Sequence, residues 1–192
     1  MFDNLQGYNI ILASKSPRRK QLLEGLNLPF EVIVREVDEV FPENMAMEDI
    51  PVYLAKLKAE AFINEREEPF LVITADTIVW IDGEVLGKPL DHDHAFEMLQ
   101  KLSGRKHLVV TGVSLTSFEK QVTFSSVTEV YFKELSEVEI EYYLDKYHPY
   151  DKAGAYGVQE WIGYIAIDRI KGSYFNVMGL PVGRLYKELK RF

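Results

Sequence analysis

The sequence contains no cysteine among its 192 residues. Disulfide bonds and thiolate metal sites are therefore excluded, and this composition fits a reducing compartment. Long apolar runs are also missing, since the run Ile10 to Ala13 is far too short for a signal sequence or a membrane span. A cytoplasmic location is the expectation that follows from these two absences.

The chain also lacks an excess of positive charge. Its 22 Lys and Arg residues stand against 30 Asp and Glu residues, which gives a net charge of −8. A nucleic-acid-binding domain usually has the opposite balance, because phosphate contacts dominate its affinity. A nucleic-acid polymer is therefore not the expected partner, although a small polyphosphate can bind wherever the basic residues converge. The Gly-x-x-x-x-Gly-Lys-Ser/Thr pattern of Walker-type phosphate loops is absent as well.

What the chain does have is enough apolar residues, 47%, to build a core. No repeat or linker divides it, so we expect one domain over residues 1–192, or two lobes that share a cleft. Strands are predicted at 8–13, 30–34, 70–74, 78–81, 84–86, 108–118, 121–132 and 162–170. Helices are predicted after Ser16 and at 51–64, 91–102, 136–146 and 181–191, with an exposed turn at Glu65 to Pro69. Interleaved helices, strands and hairpins indicate a mixed α/β sheet.

The first group of candidate functional residues is the segment 13–19, which joins a predicted strand to a predicted helix. A helix N-terminus presents unpaired N–H groups to a phosphate. The side chains that add further donors there are Ser14, Ser16, Arg18 and Arg19. The alternative is a capped surface helix whose arginines are solvated, because positive charge in a first helical turn is mildly unfavourable.

A lysine and an aspartate stand out next. Lys58 falls on the apolar stripe of its predicted helix, between Leu54 and Phe62, so it either extends to the rim or reaches a phosphate. Asp76 follows an apolar strand and is suited to hold a divalent cation and to orient or deprotonate a water molecule. The alternative for Asp76 is a turn cap beside Thr77.

Two later loops complete the set. Lys88 follows the predicted hairpin and is either a ligand-binding residue or an exposed loop lysine. In the segment 151–159, Gly154 and Gly157 allow close approach of the backbone to a ligand, and Gln159 is able to read a base edge, or the loop is purely structural. Two histidines, at 92 and 94, lie on nearly opposite helix faces and do not make a metal pair.

Taken together, these segments resemble the Maf family of nucleotide pyrophosphatases. The pieces are ASKSPRR at 13–19, LAKLKA at 54–59, TADT at 74–77, GKP at 87–89, TG at 111–112, DKAGAYGVQ at 151–159 and GSYFNVMGLP at 172–181. Each piece alone is weak, but their order and spacing are highly specific. The pair Glu160-Trp161 stands where a smaller, Gly-containing pair is often found.

The resemblance implies an inosine triphosphate pyrophosphatase-like fold: an elongated mixed sheet, flanking helices and two lobes around a cleft. It also implies a homodimer and a divalent cation, Mg²⁺ or Mn²⁺. Asp76 would accept the proton of the attacking water and bind the metal, with Glu39 assisting unless Glu39 is only a surface acid. The residues implied to surround the triphosphate are Ser14, Arg18, Arg19, Lys58 and Lys88. The residues implied to set specificity are Arg19, Thr77 and Gln159.

The function predicted from this resemblance is hydrolysis of dTTP and UTP, with modified pyrimidine nucleotides as further candidates, to the monophosphate and pyrophosphate. Water attack at the α-phosphorus requires neutralisation of the triphosphate charge, which a cation, Arg and Lys supply. The alternative is a nucleotide-sensing regulatory protein that restrains cell division, and this alternative would bind nucleotide without turnover.

Overall fold

The computed structural model describes residues 2–63 and 69–192. The predicted turn Glu65 to Pro69 lies outside the described residues, apart from Pro69. The described residues form seven strands: β1 (Asn9–Leu12), β2 (Glu31–Val32), β3 (Phe70–Ile81), β4 (Glu84–Leu86), β5 (Lys106–Thr116), β6 (Gln121–Phe132) and β7 (Ile167–Lys171). They also form seven α-helices: α1 (Pro17–Glu24), α2 (Asp49–Ile63), α3 (His92–Leu102), α4 (Glu137–Tyr147), α5 (Trp161–Ile165), α6 (Tyr174–Val177) and α7 (Val182–Leu189).

The strands belong to one mixed sheet, which confirms the predicted α/β class. Their hydrogen-bonded order is β2-β1-β3-β5-β6-β7, and β4 pairs with β3. The pairs β1–β2 and β1–β3 are parallel, whereas β3–β4 and β6–β7 are antiparallel. None of the described helices is both long enough and apolar enough to span a membrane.

Local sequence signals place several element boundaries. Ser16 is the N-cap of α1, and its side chain accepts a hydrogen bond from the Arg19 N–H. Ser136 and Glu139 form the predicted capping box of α4. The β3–β4 hairpin turns at Asp82 and Gly83, whose positive φ angles of 55° and 84° fit a two-residue hairpin loop.

Three predicted strands differ from the structure. The region 162–170 begins with the helix α5 and becomes the strand β7 only at Ile167. The predicted strands 70–74 and 78–81 are one strand, β3, so Asp76 lies inside a strand and not after it. The segment before the last helix also contains a short helix, α6, which Ser173 caps through the Asn176 N–H. The strand β3 was divided into two in the prediction because polar residues at 74–77 interrupt its apolar sequence.

The described chain divides into two compact units. The first unit comprises Met1–Asp76, Thr111–Ser126 and Gly179–Phe192, and the second comprises Thr77–Val110 and Val127–Met178. In the first unit, Ile11, Phe62 and Phe70 belong to a buried apolar cluster. In the second unit, the rings of His107, Phe132 and Tyr156 pack edge to face.

Candidate functional site

Three charged side chains of the first unit meet at one point. The Lys58 ammonium nitrogen lies 2.5 Å from Asp76 Oδ1 and 2.9 Å from Glu39 Oε1. The side chains of Lys58 and Asp76 are only 16% and 11% exposed. Asp76 therefore does not cap a turn, and Lys58 does not simply extend into solvent. The ammonium group joins two carboxylates that would otherwise repel each other.

Two close contacts fix the helix that carries Lys58. The Thr74 hydroxyl of β3 donates a 2.6 Å hydrogen bond to the Ala55 carbonyl oxygen of α2, one helical turn before Lys58. On β5, Gly112 approaches the Pro51–Val52 peptide bond so closely that a Cβ there would overlap it. Since Thr74 is two residues before Asp76 in β3, the same strand holds the helix and presents the carboxylate. These contacts set the distance between Lys58 and Asp76.

Arg19, in the first turn of α1, is held by backbone carbonyls. Its Nε donates to the Gly179 oxygen at 2.8 Å, and its Nη1 donates to the Ala75 oxygen at 2.7 Å. Burial lowers the pKa of Arg19 from its usual value, and the neighbouring Asp76 charge raises it. A guanidinium suits this place because its planar donors bind two acceptors at once. The side chain thus lies directly beside the residue that precedes Asp76.

The other candidates near α1 are less deeply held. The Ser14 hydroxyl oxygen is buried and accepts a hydrogen bond from the Ser16 N–H at 3.2 Å. A hydroxyl that accepts a bond still carries a proton that it can donate. Arg18 is half-buried, and its charge contributes to the lowered pKa of Arg19. The segment therefore places Ser14, Arg18 and Arg19 around the start of α1.

The second unit contains the remaining candidates. Thr77 directly follows Asp76 in β3 and is half-buried, whereas Lys88 is exposed. The Gly154 N–H donates to the Gly87 oxygen at 3.0 Å, so the loop that carries Lys88 is tied to the segment 151–159. Gly154 has φ +67°, and a Cβ there would lie 2.9 Å from Val79 Cγ2. Both properties explain why glycine is needed at this position.

Gln159 carries one of the buried polar side-chain atoms that lack a hydrogen-bond partner among the described residues. This atom is the side-chain oxygen Oε1. Buried polar atoms are normally hydrogen-bonded, so an unsatisfied acceptor requires an explanation. An N–H donor from a ligand would satisfy it.

The donor set of the first unit fits a divalent cation. Asp76 and Glu39 direct carboxylate oxygens at the same point, which the Lys58 ammonium occupies. Carboxylate oxygens are the ligands that Mg²⁺ and Mn²⁺ prefer. Elsewhere, His92 Nε2 lies 3.1 Å from Glu141 Oε2 and 3.9 Å from Asp145 Oδ1 on the surface of α3 and α4. His94 is not part of that group.

Sequence reasoning missed the two positioning contacts of α2. A glycine inside a strand pattern signals close backbone approach, so Gly112 in β5 was detectable in principle. Thr74 carried no such signal, because its partner Ala55 is remote in sequence and is a backbone carbonyl.

Comparison with known proteins gives matches over nearly the whole chain. Residues 9–192 match the sequence model of the family described as Maf-like protein. A dTTP/UTP pyrophosphatase of Phocaeicola vulgatus is 56% identical over 192 residues, covering all of both chains. A dTTP/UTP pyrophosphatase of Bacteroides thetaiotaomicron is 54% identical over the same length and coverage. The structure of a HAM1 protein from Coxiella burnetii aligns with 65% of this chain and 73% of its own, at 15% identity and a TM-score of 0.45.

Proposed function

This chain belongs to the Maf family, and from that premise we propose that it hydrolyses dTTP and UTP to the nucleoside monophosphate and pyrophosphate. Relatives that share more than half of its residues over their full length bear the name of this activity. The observation that carries the proposal is the buried contact of Lys58 with Asp76, with Arg19 fixed beside them. A carboxylate and two cations at one place suit water attack on a phosphoanhydride.

In the proposed reaction, Asp76 acts as the general base. It accepts a proton from a water molecule whose oxygen forms a bond to the α-phosphorus. The bond between the α-phosphorus and the bridging oxygen breaks, and pyrophosphate leaves with the electron pair. One nucleoside triphosphate and one water molecule thereby give one monophosphate and one pyrophosphate, without a covalent enzyme intermediate.

Lys58 changes partners in this scheme. Without substrate, its ammonium is bound by Asp76 and Glu39. A triphosphate presents more negative charge than two carboxylates, so the flexible lysine stem moves the ammonium to the phosphate oxygens. Asp76 is then released to accept the water proton. Arg19, Arg18 and Ser14 contribute further positive charge and donors.

A divalent cation, Mg²⁺ or Mn²⁺, belongs to the proposal, with Asp76 and Glu39 as the residues that would hold it. When bound, such an ion supplies positive charge to the phosphate oxygens and to the departing pyrophosphate. The roles implied for Lys88 in phosphate binding, and for Thr77 and Gln159 in base recognition, are likewise part of the proposal. A cytoplasmic location and a homodimer are also part of the proposal, and sedimentation of the purified chain would test the homodimer.

Asp76→Asn tests the base directly. We expect pyrophosphate release from dTTP to fall by about 10²–10⁴-fold, the usual contribution of general base catalysis, while calorimetric binding of dTTP stays measurable. Asp82→Asn is the matched control, because Asp82 is exposed in the β3–β4 turn and contacts Arg105. A wild-type rate in Asp76→Asn would exclude Asp76 as the base. Binding of dTTP and UTP by the wild-type protein without turnover would instead favour the regulatory alternative.

A further inference from the structure

Gln159 is the third residue of a tight turn. The Glu160 N–H donates to the Gly157 carbonyl oxygen at 3.0 Å, which closes a four-residue turn over 157–160. The side-chain oxygen of Gln159 is buried and has no partner among the residues described. The turn therefore holds an acceptor out of water without supplying a donor, which is unfavourable unless a ligand supplies one.

A single hydroxyl ties both ends of this turn together. Tyr143 of α4 is completely buried. Its hydroxyl accepts a hydrogen bond from the Gly157 N–H at 3.0 Å and donates to Glu160 Oε2. Gln159 thus lies between two residues that are both anchored to the same tyrosine on a capped helix.

A buried ion pair holds the far side of the Glu160 carboxylate. The Lys152 ammonium lies 3.1 Å from Glu160 Oε1 and 2.7 Å from Asp151 Oδ1. The side chains of Lys152 and Glu160 are only 9% and 18% exposed. Removing one partner of such a pair is costly, so the carboxylate is strongly held in place.

The carboxylate also fills the space above the turn. A Cβ at Gly157 would lie 2.7 Å from Glu160 Cδ and 2.9 Å from both of its carboxylate oxygens. Because Gly157 has only hydrogen there, the Glu160 side chain can fold back over the turn. The turn, the tyrosine and the lysine together leave the backbone of Gln159 little freedom.

We propose that Tyr143 and Glu160 are positioning residues that fix the turn carrying Gln159 and so hold its buried side-chain oxygen in place, and that this placement distinguishes thymine and uracil from cytosine. The inference rests on the proposed function and adds the source of its base selectivity. Thymine and uracil present an N–H donor at N3 beside the acceptor O4. Cytosine presents the reverse, an acceptor at N3 beside a donor amine.

An amide has both a donor end and an acceptor end, so a freely rotating glutamine binds either base by turning over. A glutamine distinguishes the two kinds of base only if its amide is held with the oxygen in one place. With Oε1 as the buried acceptor that awaits a donor, the fixed arrangement suits the N3–H of thymine and uracil. Cytosine would then bring acceptor against acceptor, which leaves buried polar groups unpaired.

The test is the ratio of kcat/KM for dTTP to kcat/KM for dCTP, together with calorimetric affinities for both nucleotides. We expect Tyr143→Phe to lower this ratio about tenfold, which is the size of one lost hydrogen bond. The kcat for dTTP should change little, because Tyr143 does not touch the reacting atoms. Tyr142→Phe is the matched control: Tyr142 is the preceding residue, is 43% exposed and accepts a hydrogen bond from Lys146.

A double-mutant cycle separates positioning from general loosening. In a Gln159→Ala background, Tyr143→Phe should leave the ratio unchanged, because its effect passes through the amide. Glu160→Gln keeps the side-chain size and should lower the ratio as Tyr143→Phe does. If Tyr143 and Glu160 only stabilise the fold, their variants would have a lower Tm but the wild-type ratio of kcat/KM for dTTP to kcat/KM for dCTP.

Folded Tyr143→Phe and Glu160→Gln proteins with the wild-type ratio would overturn the inference. An equal fall of the ratio in the Gln159→Ala background would overturn it as well. Absence of pyrophosphate release from the wild type would contradict the proposed function instead. In that case the ratio of the two affinities still decides whether Tyr143 and Glu160 set base preference.

Discussion

Replacing Gly112 with alanine should displace α2 and slow catalysis while the protein still folds. A Cβ at position 112 would lie closer than 3.0 Å to the Pro51 carbonyl carbon, the Pro51 oxygen and the Val52 nitrogen. These are backbone atoms, so they cannot rotate away as a flexible side chain would. A relaxed carbon–carbon contact needs about 3.5 Å, so the two backbones must separate by about 1 Å.

That displacement reaches the site because Lys58 lies two helical turns after Pro51 on the same rigid helix. A misplacement of about 1 Å can cost on the order of 100-fold in rate. Overpacking costs about 1–3 kcal/mol of folding free energy. We therefore expect kcat for dTTP to fall on the order of 100-fold while the variant still folds. Pyrophosphate release measures the rate, and urea unfolding measures the free energy.

Gly183→Ala is the control, since Gly183 is in α7 of the same unit and a Cβ there would meet nothing within 4 Å. We expect it to keep the wild-type rate and to gain up to about 1 kcal/mol in stability, because alanine favours helices. A folded Gly112→Ala protein with a wild-type rate would refute the reasoning that the contact of β5 with α2 positions Lys58.

Two further predictions concern stability. Burial lowers the pKa of His107 from 6.5 to about 3. Below pH 6.5 the unfolded chain therefore binds a proton at His107 that the folded chain does not bind, and the free energy of unfolding falls. We expect it to be about 2 kcal/mol lower at pH 5 than above pH 6.5. Urea unfolding at pH 7 and pH 5 should show this loss of stability in the wild type and not in His107→Phe. An equal loss between the two pH values in both proteins would contradict the prediction. Ser136→Ala removes the capping box of α4 and should cost about 1 kcal/mol without changing dTTP turnover. A changed turnover rate would mean that α4 contributes more than a scaffold.

The parts of the fold that were predictable are those set by neighbouring residues. Ser16, Ser136 and the pair Asp82-Gly83 act on backbone groups within a few positions, so their helix starts and hairpin appear as predicted. The region 161–165 was missed because an apolar run of that length suits a strand and a short helix equally.

For the candidate site, the sequence singled out residues that the structure brings together, but it did not indicate their contacts. Asp76, Lys58 and Arg19 were recognised by residue type and by family resemblance. Their contacts depend on residues far apart in sequence, such as Arg19 with the Gly179 carbonyl and Thr74 with Ala55. Nothing local to Tyr143 indicates that its hydroxyl meets the turn around Gln159, because such pairings exist only after the chain has folded.

The Lys58 ammonium between two acids also bears on when the enzyme is active. Without substrate, the charge of Asp76, the proposed general base, is already neutralised by the Lys58 ammonium. A triphosphate that binds the Lys58 ammonium would free Asp76, so the carboxylate would be available only while a nucleotide is bound. On this view the nucleotide acts as the trigger of its own hydrolysis, and the resting protein keeps its reactive carboxylate inactive.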